Sequence, residues 1–137
     1  MREALSFDDV LLVPQYSDIY SRKEIEIKQN LKNVGNFSLP IISSPMDTVT
    51  EERMSCAMSK AGGTSVVHRY NTIEEQADIV EDAASLGSQI GAAIGIGEDF
   101  LERALALANV GVSFLCIDVA HGHHSKVRSA LEALRDE

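Results

Sequence analysis

The chain has 137 residues with 21 acidic and 12 basic side chains, a formal net charge of −9. That balance argues against nucleic acid and anionic membranes as partners, because both are bound through basic surfaces. No apolar stretch approaches the roughly 18–20 residues that cross a bilayer, and the opening MREALSFDDV lacks the apolar region of a secretory signal, so the expected location is cytoplasmic.

A phosphorylated small molecule stays open as a ligand, since helix N-termini and backbone amides bind phosphate without net positive charge. At 45% apolar residues, the chain has the material for one packed core. The two cysteines, Cys56 and Cys116, are far apart in sequence and read as buried, reduced thiols.

In chain order, residues 1–39 form an N-terminal extension that caps the sheet following it. Within it, DDVLLVP reads as a short strand stopped by Pro14, and KEIEIKQ alternates Ile25 and Ile27 with charge as a half-exposed strand does. From residue 40 to 137 the pattern becomes regular. The strand PIISS precedes a helix in which Met54, Ala57, Met58 and Ala61 recur at helical spacing. Thr48 and Glu51 have the capping-box spacing, and Gly62-Gly63 supplies a stop. The strand TSVVH leads to a second helix with Thr72 and Glu75 as capping box and Gly87 as stop.

The third strand, QIGAAIGI, precedes a helix whose expected buried stripe is Phe100, Leu101, Ala104, Leu105 and Ala108. The fourth, VSFLCID, leads through VAHGHH into a helix running through Val127, Leu131 and Leu134. Strand starts recur at roughly 23–26 residues, the scale of one β/α unit. Runs that are apolar on both faces indicate parallel strands covered by helices. Four such units fit either a complete open α/β sheet or half of a (β/α)₈ barrel, which typically takes about 250 residues. Both architectures place ligands at the C-terminal ends of the strands.

Those ends carry the candidate residues. In SSPMDTVTE, Ser44 is the best-placed hydrogen-bond donor to a polar ligand; the alternative is a capped turn and nothing more. In HRY, Arg69 suits a phosphate or carboxylate and His68 suits proton transfer, or both are ordinary rim residues. The glycines of GIG, Gly95 and Gly97, lack the third glycine of a dinucleotide fingerprint, since Phe100 stands there. His121, His123 and His124 raise the possibility of a metal site, but no second ligand cluster accompanies them, and none is assigned. Asp118 closes an apolar strand, where a carboxylate can accept hydrogen bonds from a ribose diol or cap the next turn.

Taken together these motifs resemble the IMP dehydrogenase / GMP reductase family of (β/α)₈ barrels. LSFDDVLLVPQYSDI is similar to its N-terminal signature, LPIISSPMDTVTEERMSCAMSKAGG to its first barrel unit, SVVHRYNTIEEQ to its second, and LCIDVAHGHHSKV to its dinucleotide-side loop. The resemblance implies a partial (β/α)₈ barrel of about four units. It also implies NAD- or NADP-dependent redox chemistry at purine C2 of IMP or GMP. It assigns Ser44 and Met46 to the nucleotide, Asp118, His121 and Gly122 to the cofactor, and catalytic parts to Asp118 and Arg69.

SSPMDTVTE is closer to the dehydrogenases, whereas DVAHGH and HRY are closer to certain reductases. The regulatory CBS pair that many dehydrogenases insert after the second barrel strand is absent. Neither Cys56 nor Cys116 lies in anything like the family's catalytic cysteine loop, so the chain alone is expected to be inactive. A homo-oligomer or a complementing C-terminal half is the expected partner. The alternative reading is a non-catalytic half-barrel that binds nucleotide or assembles with another chain.

Overall fold

The structure is a computed structural model that describes residues 3–87 and 89–137. It comprises a small antiparallel hairpin, β1 (Gln29–Leu31) and β2 (Gly35–Phe37), followed by four strand–helix units. These are β3 (Ile42–Ser43) with α1 (Glu52–Lys60), β4 (Thr64–Val67) with α2 (Ile73–Ser85), β5 (Ile90–Ile94) with α3 (Phe100–Asn109), and β6 (Phe114–Ile117) with α4 (Ser125–Arg135). The four strands form one parallel sheet in sequential order, β3-β4-β5-β6. Sequential order without reversal is the topology of a barrel wall; a doubly wound sheet reverses direction at its switch point. The fold is thus four units of a (β/α)₈ barrel preceded by a hairpin.

Strand alternation divides the side chains between two faces. Ile90, Ala92 and Ile94 of β5 join Val67 of β4, Val80 and Ala83 of α2, and Ala104 and Leu107 of α3 in one buried cluster between sheet and helices. On the other face, Gly91 leaves room for the Phe114 ring, which a Cβ at that position would overlap. Sheet and helices are joined by main-chain turns that the sequence marks clearly. Gly62 and Gly87 adopt φ of +87° and +75°, a conformation open to glycine at little cost. Thr72 and Glu75 form a complete capping box on α2.

Several expectations need correction. DDVLLVP is a turn followed by irregular chain, with Leu11 and Leu12 almost wholly exposed, because among the described residues no strand pairs with it. KEIEIKQ contributes a 3₁₀ turn at Arg22–Glu24 and pairs only from Gln29 onward. Thr48 and Glu51 form no capping box. Glu51 itself takes the cap position without a side-chain cap bond, and its carboxylate meets the buried His68 ring instead.

The helix stripes are also rotated from those expected. Ser55 is the buried residue of α1, with Met54 and Ala57 exposed. In α3 the buried residues are Arg103, Ala104 and Leu107, while Leu105 is exposed. The physical reason there is Arg103, whose guanidinium is drawn under the helix by carbonyl and carboxylate acceptors. In α4, Val127 and Ala130 are buried and Leu131 is exposed.

Candidate functional site

The C-terminal ends of the four strands bring the candidate residues to one edge of the sheet. After β3, the chain turns tightly at Ser44. Its carbonyl accepts the Met46 N–H at 2.8 Å and the hydroxyl of buried Thr50 at 2.6 Å. The Ser44 and Met46 side chains are left exposed at the sheet edge. This loop is tied to the next strand end by His68, which is 3% exposed. His68 Nδ1 accepts the Tyr70 N–H at 3.1 Å, so Nε2 carries the hydrogen that meets Glu51 Oε1 at 3.2 Å.

Arg69 and Asp118 come together from β4 and β6, 49 residues apart in sequence. Arg69 Nε lies 3.6 Å from Asp118 Oδ2, and an Arg69 terminal nitrogen donates to the Asp118 carbonyl at 3.3 Å. Asp118 itself is fixed by its N–H, which donates to the Ile94 carbonyl at 2.9 Å. Between them, the end of β5 contributes Gly95. A Cβ there would stand 3.4 Å from the Arg69 guanidinium, in ordinary van der Waals contact with it. Of the two glycines of the GIG motif, Gly95 is the one that lies against Arg69.

Pro45, Met46, Asp47, Tyr70 and Asp118 line an open cavity of about 470 Å³. Arg69 borders it, its Cζ 5.4 Å from the Tyr70 ring centre. His121 is exposed on the loop beyond Asp118, and Gly122 lines a separate cavity of about 440 Å³ with His123, His124 and Arg128. His124 has a local task, its Nδ1 accepting the Lys126 N–H at 3.0 Å as the cap of α4. Among the described residues, no three ligating side chains converge to hold a metal ion. A larger cavity, about 810 Å³, lies at the opposite ends of the strands between the hairpin and Gly62, Gly63 and Gln89, away from these groups.

Neither cysteine is placed as a nucleophile. Both are free thiols; Cys56 packs on α1 against the core. Burial, and secondarily the Asp118 carboxylate, push the Cys116 thiol above its ordinary value, which suppresses the reactive thiolate.

Beneath the site lies a network that motif reading missed. Buried Gln76 donates from Nε2 to the Ala93 carbonyl at 2.9 Å and receives Arg103 Nη1 on Oε1 at 2.9 Å. Arg103 also donates to the carbonyls of Asn71 and Thr72 and to Asp99. It thereby holds the loop that follows Tyr70. A charged residue inside the apolar period of α3 was the available signal. Tyr70, Pro45 and Asp47 were likewise signalled only by their position beside strand ends.

Comparison with known families and proteins agrees with this geometry. The family described as "IMP dehydrogenase / GMP reductase domain" matches residues 4–137. The chain belongs to the IMP dehydrogenase / GMP reductase family. Among curated relatives, the inosine-5'-monophosphate dehydrogenase of Nitrosopumilus maritimus is 47% identical over 87 residues, covering 64% of this chain and 18% of that protein. The enzyme of the same name from Staphylococcus aureus strain MW2 is 45% identical over 80 residues, covering 58% of this chain and 16% of that protein. These matches thus span less than a fifth of the relatives' length. None of the chain's helices is long and apolar enough to cross a membrane, among the described residues.

Proposed function

We propose that these residues form part of a cytoplasmic purine-nucleotide oxidoreductase that performs NAD- or NADP-dependent chemistry at purine C2 of IMP or GMP. Residues 1–39 act as the extension and 40–137 as the barrel portion. The observation that carries this reading is the convergence of the Ser44–Asp47 loop, Arg69 and Asp118 at one end of a parallel sheet, around an open cavity. Ser44 and Met46 face the nucleotide, the first as a hydroxyl partner and the second as an apolar contact. Asp118 accepts hydrogen bonds from ribose hydroxyls of the cofactor. His121 and Gly122 flank the cofactor on the loop beyond it.

The donor set fits a dinucleotide's riboside: a half-buried carboxylate oriented by its own main chain and by a guanidinium, beside a half-open apolar wall. When bound, NAD or NADP supplies hydride transfer at its nicotinamide ring. The Arg69 guanidinium presents only N–H donors and no acceptor. Its part is therefore to orient Asp118 and to stabilise negative charge, not to accept a proton. With Cys116 held as a thiol and Cys56 partly buried on α1 against the core, these residues bind and orient without covalent attack on the purine. The expected result is binding without turnover. IMP and NAD titrated calorimetrically into the chain give saturable heats, and Asp118→Asn weakens NAD more than IMP. Absence of binding of either ligand refutes the reading, as does NAD(P)H formation by the chain alone.

A second reading has its own support. The outer sides of β3 and β6 have no neighbouring strand among the described residues. Ile41, Ile42, Met54 and Leu131 are exposed. Unpaired parallel edges recruit partners, so a second copy or a complementing C-terminal half is proposed to cover them. Sedimentation distinguishes the cases: a monomer at micromolar concentration that melts cooperatively rules out an obligate assembly of copies.

A further inference from the structure

Three buried serine hydroxyls have no hydrogen-bond partner among the described residues: Ser43 on β3, Ser55 on α1 and Ser65 on β4. Ser55 and Ser65 are 1% exposed and Ser43 is 8% exposed. The fold brings them to one place. Val67 belongs to the cluster between sheet and helices, so alternation puts Ser65, two residues before it, on that same face. The parallel register pairs Ser65 with Ser43, and paired strands stand about 4.8 Å apart. α1 packs over these two strands, with Ser55 as its buried residue. The height of Ser55 along the strands follows from anchors on either side of it. Thr50, just before α1, donates to the Ser44 carbonyl at 2.6 Å. Near the other end of the helix, the Met58 carbonyl accepts the Gly63 N–H at 2.9 Å, and Gly63 is level with Ile41, one residue before the Ile42–Thr64 pair. Ser55 falls between these anchors, at the level of the Ser43–Ser65 pair.

A buried hydroxyl without a partner carries the desolvation cost of a polar group with nothing to offset it. Three of them in one layer point to a shared ligand. Neither β3 nor β4 carries a charged residue, and Ser55 is the residue that α1 buries, so these elements supply no charge to hold an ion there. Each hydroxyl both donates and accepts, so the matching ligand is small, neutral and able to do the same. We infer that Ser43, Ser55 and Ser65 form a binding site for one internal water molecule, which joins α1 to β3 and β4. Three hydrogen bonds are about the number a buried water makes. The site lies one residue behind Ser44, and the bound water thereby ties α1 to the stretch of β3 that leads into the Ser44–Asp47 loop.

The test combines a crystal structure of the full chain, at a resolution that shows ordered water, with urea unfolding of Ser55→Ala and Ser65→Ala. The expected density is a single solvent peak within hydrogen-bonding distance, about 2.7–3.0 Å, of all three Oγ atoms. Each alanine variant removes one partner from the water, so its urea midpoint is expected to fall by about 0.5 M, the loss of one hydrogen bond at the usual slope. Hydroxyls that merely lie buried without a ligand give the opposite sign, because alanine then removes an uncompensated polar group. An unchanged or raised midpoint in either variant overturns the site. So does density in which the hydroxyls bond directly to one another or to carbonyls with no solvent between them, or a peak whose short contacts mark a cation. If one alanine variant fails to fold, the other carries the comparison. Water-to-amide NOEs of the wild-type chain give a reading in solution. Cross-peaks from a long-lived water to the amides of Ser43, Ser55 and Ser65 are expected, and their absence refutes the proposal.

Discussion

Replacing Arg103 with methionine keeps a stem of similar length under α3 while removing every guanidinium bond. Four acceptors lose a partner: Gln76 Oε1, Asp99 Oδ2, and the carbonyls of Asn71 and Thr72. Asp99 is 53% exposed at its side chain and rehydrates, so that ion pair contributes at most about 1 kcal/mol. Gln76 is fully buried and does not; a stranded buried acceptor costs about 1–3 kcal/mol. The two carbonyls are partly buried and recover some solvation, which places the total near 2–4 kcal/mol. Urea unfolding followed by circular dichroism is the assay, with the midpoint expected to fall by about 1–2 M at the slope usual for a chain of this size. Pairing Arg103→Met with Gln76→Leu is expected to show a coupling of at least about 1 kcal/mol, because the second change removes the acceptor that the first strands. A loss below about 0.5 kcal/mol, or strict additivity in the cycle, refutes the claim that this network holds the loop after Tyr70.

Two further substitutions probe other parts of the chain. In Asp118→Asn the Cys116 thiol loses the lesser of its two upward influences and keeps burial, the larger. Removing a neighbouring negative charge makes the thiolate easier to form, so the pH profile of iodoacetamide alkylation at Cys116 moves part-way toward lower pH; no movement or an upward one contradicts the electrostatic account. In Gly91→Ala the new methyl overlaps the Phe114 ring. The expected destabilisation is about 1–3 kcal/mol, read from the same urea transition, and Gly91→Ala with Phe114→Leu should recover part of it.

The amino-acid sequence alone determined the repeating architecture. Each strand core, the capping box at Thr72 and Glu75, and the glycine stops at Gly62 and Gly87 depend on local backbone preferences and on apolar runs, both of which are written in contiguous residues. Family membership was legible for the same reason, through unbroken motifs such as SSPMDTVTE and LCIDVAHGH. The rotation of the helix stripes was not, because Arg103 is buried by acceptors 27 to 32 residues away that helical periodicity does not register. The capping box expected at Thr48 failed similarly, since Glu51 is engaged by His68, 17 residues on. The strand expected in residues 8–14 lacked a partner edge, and that in 23–29 found one only at Gln29; alternation by itself makes no ladder. Only the tertiary structure decided that Arg69 meets Asp118, that Gly95 lies against the arginine, and that Tyr70 stands on the same cavity wall as Met46. Those relations depend on the parallel register of β4, β5 and β6, which aligns distant strand ends through hydrogen bonds that no local stretch encodes.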